Sequence, residues 1–371
     1  MSRAFVASWL VLALLTTFTL PAWAGDPVEA GLGYLAAQQQ PDGGFGSGFG
    51  EGSDLGTTCD IVLAIAAGGQ DVSTWVSEDG NSPLDYLYTR VAGGVVDTPG
   101  LKAKVILALL AAGQHPTAFA GHDLVAELNA AYDETSGSYG GTIFDQALAM
   151  LALFIAGQPV PDGAAQYLLD NQRTDGAWAL FGGTTAGTGD TNTTALAVQA
   201  LIVTGHRDEI GDAFAYFRRV QNDDGGFPYQ NPSDYGTDTD ANSTAVVLQA
   251  LLAAGEPLGN WTPGGTDPLG ALVALHDPSS GAFFWQAAAP YPNVLATAQA
   301  IPAIAGYAFV HLPRVGVANA PEPVAAPVLD VILLPESGGL ALLPVGLTGL
   351  GIIALGAGLA LRRRWREGAG K

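Results

Sequence analysis

Alanine-rich apolar runs in this chain end at Gly69, Gly113, Gly157, Gly205, Gly255 and Gly306, at spacings of 44, 44, 48, 50 and 51 residues. Self-similarity at that period marks a repeat array, in which each unit can bury its apolar face only against its neighbours. Glycine is cheapest in the left-handed conformation just past a helix, so the six glycines read as helix stops. Fifteen residues before them stand Asp54, Thr98, Thr142, Asp190, Asp240 and Tyr291, and five of the six are residue types favoured as N-caps. The fourteen residues in between are expected to form one helix per repeat. Ten before each glycine lie Cys59, Ala103, Ala147, Ala195, Ala245 and Ala296, small enough for neighbouring helices to pack closely.

A second helix is expected ahead of each of these, ending in a turn that also recurs. Gln39, Tyr132, Gln172, Gln221 and His276 are followed by Gly43, Gly137, Gly176, Gly225 and Gly281, and two residues further by Phe45, Tyr139, Trp178, Phe227 and Phe283. The second repeat, near "LDYLYTRVAGG", is degenerate. Gln172-Arg173-Thr174-Asp175-Gly176-Ala177-Trp178 resembles the "QW" element of the terpenoid-cyclase and protein-prenyltransferase repeat superfamily. The resemblance covers roughly Val28 to Gly306 and implies an all-α fold, an α6/α6 toroid of six inner helices ringed by six outer ones. That superfamily includes triterpene cyclases, zinc prenyltransferases, cobalamin carriers and thioester domains, so the fold leaves the chemistry to be argued from residues.

A cyclase of this kind protonates its substrate with the middle acid of Asp-x-Asp-Asp, whereas the corresponding stretch here is Asp238-Thr239-Asp240-Ala241. Three readings of it are open. Asp240 aligns with the caps of the other repeats and is read first as an N-cap. Asp238, Asp240 and Asn242 stand at alternate positions, as ligands of a calcium ion would, but without the glycine of an EF-hand loop. Asp238 and Asp240 are also the candidate catalytic acids. Prenyltransferase chemistry would need a zinc-bound thiolate, and Cys59, the only cysteine, has Asp60 beside it but no cysteine or histidine cluster. The thioester motif Cys-Gly-Glu-Gln is replaced by Cys59-Asp60-Ile61-Val62. His115, His122, His206, His276 and His311 are scattered and read as loop residues.

On a 3.6-residue helix, positions thirteen, ten, nine and six before the terminal glycine share a face. That face holds Asn192, Asn242 and Asn293, the alanines already named, and Gln199 with Gln249. Asp60 and Lys104 occupy one level on adjacent helices, where they could pair. Turned inward, this face would give a polar, hydrogen-bonding lumen, and these seven polar residues are the candidate ligand-binding set. The plainer reading is that the asparagines satisfy loop backbone and the glutamines are helix formers on a solvated face.

The ends of the chain bear on where it works. Met1 to Ala24 carries Arg3, an apolar run and the ending Pro21-Ala22-Trp23-Ala24, and reads as a signal peptide. Residues 25–310 are assigned to the toroid and 311–333 to a proline-rich stalk. Gly339 to Leu361 is uncharged over 23 residues, about 35 Å of helix, and is followed by a basic tail at 362–371. Just before it, Leu334-Pro335-Glu336-Ser337-Gly338 resembles a surface-protein sorting signal of the sortase or exosortase kind, with Ser337 in place of the usual threonine. Setting aside Arg3, the five basic tail residues and Glu367 leaves 8 basic groups against 34 acidic ones, about −26 in the ectodomain, which would repel nucleic acid. The expectation is a membrane-tethered, surface-held toroid that captures an extracellular ligand without catalysis. A cyclase-like or glycan-active enzyme and an adhesive scaffold are the alternatives.

Overall fold

A computed structural model describes residues 26–312 apart from residues 49, 188 and 235. The signal-peptide, sorting and membrane-spanning assignments lie outside the described residues. Among those described, twelve α-helices alternate between two layers. The even-numbered helices are α2 (Leu55–Ala67), α4 (Pro99–Ala111), α6 (Ile143–Ile155), α8 (Thr191–Val203), α10 (Ala241–Ala254) and α12 (Val294–Ile304). Each packs against the next and α12 packs back on α2, so they form a closed ring. The odd-numbered helices surround it: α1 (Pro27–Ala36), α3 (Pro83–Ala92), α5 (Leu124–Asn129), α7 (Asp162–Asp170), α9 (Gly211–Val220) and α11 (Pro268–Val273). The expected α6/α6 toroid is therefore the observed architecture.

Sequence composition sorts the layers. The inner helices are apolar around most of their circumference, as helices with neighbours on several sides must be; α6 buries ten of its thirteen residues. Outer helices bury one stripe: α9 packs Phe214, Phe217 and Val220 inward and leaves Arg218 and Arg219 outside. Five inner helices start at the expected caps, with Asp54 Oδ1 accepting from Thr57 N at 2.7 Å and Asp190 and Asp240 doing the same for Thr193 and Ser243. All six stop glycines adopt positive φ, between 66° and 87°. In repeat six the expectation fails by two residues. A short hairpin, β1 (Phe283–Gln286) and β2 (Ala289–Asn293), takes up the chain there, and the cap is Asn293, not Tyr291.

The recurring turn between outer and inner helix is built from side chains as well as glycine. Gln39, Gln172 and Gln221 each donate to the carbonyl of the turn glycine, Gly43, Gly176 and Gly225, at 2.8 to 3.0 Å. The aromatics Phe45, Tyr139, Trp178, Phe227 and Phe283 are fully buried, so they are core. Their backbone N–H groups are held from the inner helix: Phe45 by Thr58, Trp178 by Thr194, Phe227 by Thr244, Phe283 by Thr297 and Tyr139 by Gln146. Each of these holders stands four residues after its cap. Gly281 closes the ring: a side chain there would strike the backbone carbonyl of Ala30 in α1, so only glycine lets the last turn seat on the first helix. His276, in the connection between α11 and β1, and His311, in the 3-10 turn after α12, are buried, and His276 packs on the Phe283 ring at 5.0 Å.

Candidate functional site

The ring encloses a lumen whose walls come from all six inner helices. The residue six positions after each cap points into it: Asp60, Lys104, Leu148, Leu196, Val246 and Gln299 form one level. Lys104 Nζ lies 2.9 Å from both carboxylate oxygens of Asp60. Gln299 Nε2 donates to Asp60 Oδ2 at 3.2 Å, and Gln299 Oε1 accepts from Asn242 Nδ2 at 2.9 Å. A continuous polar chain thus runs across α10, α12, α2 and α4, while α6 and α8 face it with Phe144, Leu148 and Leu196. Burial opposes the charge on Lys104, but Asp60 outweighs it and holds the ammonium above its ordinary value. The expected ion pair is present and sits inside the lumen.

Asn192 and Gln249 line the same cavity, which has a free volume of about 110 Å³. One water needs roughly 10–15 Å³ on that measure, so the space suits a compact molecule. Towards the C-terminal ends of the inner helices the chain covers part of the lumen itself, with a second cavity of about 190 Å³ between this cover and the ends of α2 and α4. After α12 a single 3-10 turn, Phe309–His311, packs against α6, α8 and α10 and puts Phe309 into the cavity wall. Gln199 Oε1 accepts from Phe309 N at 3.2 Å, and His311 Nδ1 accepts from Ala308 N at 2.9 Å. Burial keeps the His311 imidazole below its ordinary value, which favours the neutral acceptor form. His311 and Leu312, assigned from sequence to the stalk, belong to this plug.

The candidate residues therefore separate. Asp60, Lys104, Asn192 and Gln249 line the lumen, and Asn242 joins them through Gln299. Gln199 is fully buried beneath the plug and serves to hold it. Asn293 is corrected from lumenal residue to helix cap, its Oδ1 accepting from Ala296 N at 2.8 Å. Gln299 was missed because the two-residue slip in repeat six moves it out of register when positions are counted back from Gly306.

Asp238 and Asp240 are not in the cavity wall. Asp240 is 3 % exposed and spends Oδ1 on Ser243 N at 2.7 Å, so its role in the structure is the N-cap of α10. Burial pushes its carboxyl up to about 6 against the backbone donors that lower it, and burial raises Asp190 in the same sense. Asp240 faces its own helix end and Asn242 reaches into the lumen, so the two are engaged in different places, and Asp238 stands exposed. No group of three His, Cys, Asp or Glu side chains placed to hold a metal occurs among the described residues. Cys59 is fully buried, and burial pushes its thiol up to about 12, the opposite of what a zinc thiolate needs.

Solved structures share this architecture. A type II terpene cyclase, MstE from Scytonema, superposes with a TM-score of 0.55 at 12 % identity, over 76 % of this chain and 98 % of that one. An unsaturated glucuronyl hydrolase specific for heparin gives 0.55 at 14 % identity, over 76 % and 96 %. Haptocorrin in complex with Cbi gives 0.51 at 15 % identity, over 78 % and 68 %. No protein-family model matches the chain, and no curated protein matches it by sequence. The class defined is an α/α toroid, a fold shared by cyclases, glycoside hydrolases and a cobalamin-type carrier, and at these identities the likeness extends to the fold alone.

Proposed function

We propose that this protein is a non-catalytic receptor that captures a small, neutral, hydrogen-bonding ligand in the lumen of a toroid held outside the cell. The observation that carries the reading is the Lys104–Asp60–Gln299–Asn242 chain, with Asn192 and Gln249 in the same cavity. The ion pair is internally neutral, so it does not call for a charged ligand, whereas amide side chains offer both donors and acceptors to hydroxyls. Asp60 and Lys104 satisfy each other at bonding distance, which fixes the walls before a ligand arrives and lowers the ordering cost of binding.

Location and attachment belong to the same proposal. The Met1–Ala24 signal, the Leu334–Gly338 sorting motif and the apolar run from Gly339 to Leu361 support export, tethering through the membrane and processing by a sortase- or exosortase-like enzyme. Among the described residues no helix is long and apolar enough to cross a membrane. A cyclase-like or glycan-active enzyme is supported less well. A carboxylic acid that protonates a bound substrate must face it, and Asp240 faces the N-terminus of its own helix.

The test is thermal unfolding of the full chain with polyols and monosaccharides, cobinamide, calcium and prenyl lipids in turn. A ligand at 100 times its Kd stabilises by about 2.7 kcal/mol. A shift with a polyol or sugar that Gln249→Leu removes supports the reading, and a shift with prenyl lipid alone contradicts it.

A further inference from the structure

The mouth at the N-terminal ends of the inner helices carries exposed aromatic side chains: Phe181 is 87 % exposed, Tyr291 75 %, Tyr229 47 % and Trp285 46 %. Tyr229 and Trp285 stand two residues beyond the buried turn aromatics Phe227 and Phe283, and Phe181 three beyond Trp178, one residue past the matching Leu180, so three successive repeats each present an aromatic on the same turn. Backbone bonds fix those positions. Leu180 O accepts from Ile143 N at the start of α6, and Tyr229 O accepts from Thr191 N at the start of α8, both at 2.9 Å. Strand β1, with Trp285, lies against α10, and Tyr291 is on β2 of the same hairpin. Neighbouring helices stand about 8–10 Å apart, so the aromatics follow an arc of roughly 20 Å.

The electrostatic setting of that arc is one-sided. Segments 44–58, 132–148, 179–195, 226–245 and 282–298, which lead into five of the six inner helices, contain no lysine or arginine, and at the sixth, the start of α4, Lys102 donates to Val96 O and pairs with Glu127. Glu51, Asp234 and Asp238 are exposed in those five segments, and Asp97 is exposed ahead of α4. Arg173, the cation nearest in sequence to Phe181, is buried and donates to the carbonyls of Gly182 and Thr185. Tyr229 has Asp190 beside its hydroxyl. Aromatic faces in a negative field attract cations, and guanidinium groups stack on them as well.

We propose that this rim binds an arginine-bearing cationic polypeptide segment, laid along the arc so that successive side chains meet successive aromatics. A neutral chain gains nothing from the field, and an anionic one is repelled. The proposal goes beyond lumenal capture and does not depend on it.

The test titrates the full chain with octa-arginine, octa-lysine and maltohexaose by calorimetry, using the wild type, Phe181→Ala, and the triple variant Phe181→Ala/Trp285→Ala/Tyr291→Ala. Octa-arginine is expected to bind more tightly than octa-lysine and to lose about tenfold or more in the triple variant. The loss in Phe181→Ala is smaller and of the same sign, with an unchanged thermal midpoint because that side chain is almost wholly in solvent. Equal affinity of wild type and variants for octa-arginine would reduce the contact to unspecific charge attraction and overturn the proposal. So would no binding to either peptide, or binding of maltohexaose in their place.

Discussion

Replacing Asp240 by asparagine tests whether burial penalises the charge of a helix-capping carboxylate. The carboxyl belongs near 3.8 when exposed and is pushed up to about 6 in the fold, chiefly by burial. Between those values the folded state holds a proton that the unfolded state has lost, so stability falls as pH rises through the window and the full penalty applies above it. At about 1.4 kcal/mol for each tenfold change in proton affinity, the penalty is about 3 kcal/mol at neutral pH. Asp240→Asn keeps an oxygen for Ser243 N and removes the charge. The variant should match the wild type near pH 4 and exceed it at pH 7 by up to that amount. Asp190, raised by the same cause, retains its own share of the slope in both proteins. Asp240→Ala should lie about 1 kcal/mol below Asp240→Asn at every pH, from loss of the cap. Urea unfolding at several pH values from 4 to 7 measures all of this. An asparagine variant less stable than the wild type at pH 7 would mean that the helix N-terminus favours the carboxylate charge by more than burial opposes it, and would refute the burial penalty.

Lys104→Met should destabilise by about 3–5 kcal/mol, because Asp60 is left charged and buried, and Asp60→Leu added to it should recover most of the loss in a denaturant series. Gly281→Ala should cost more than Gly69→Ala in thermal unfolding: both residues have positive φ, worth about 1–2 kcal/mol, but only at Gly281 does the new methyl meet a carbonyl, that of Ala30. Gln199→Leu should loosen the plug, costing about 1–3 kcal/mol and speeding amide exchange at Phe309, whose N–H loses its acceptor inside the ring.

The fold was legible because the repeat states the same local rule several times. Caps at Asp54, Asp190 and Asp240, left-handed stops from Gly69 to Gly306 and buried aromatics from Phe45 to Phe283 each follow from short-range physics that a sequence displays directly. The threonines at 58, 194, 244 and 297 were equally visible, four residues after each cap, but their use depends on which turn lies above them. The lumen was legible only in part. Lys104 and Asp60 fell at one level by counting, whereas Gln299 was hidden by the hairpin that starts α12 two residues late. The plug could not be read at all, since Phe309 and Gln199 are 110 residues apart and meet only once the ring has closed.

The central claim is capture without turnover in the lumen, and its most direct measurement is a stoichiometric titration of the stabilising ligand into the full chain, followed by recovery of that ligand by mass spectrometry. The account predicts one site per chain, loss of binding in Asn192→Leu/Gln249→Leu, retention of binding in Asp240→Asn, and ligand returned unchanged. Ligand returned as a product, with conversion abolished by Asp240→Asn, would contradict it and make the toroid an enzyme.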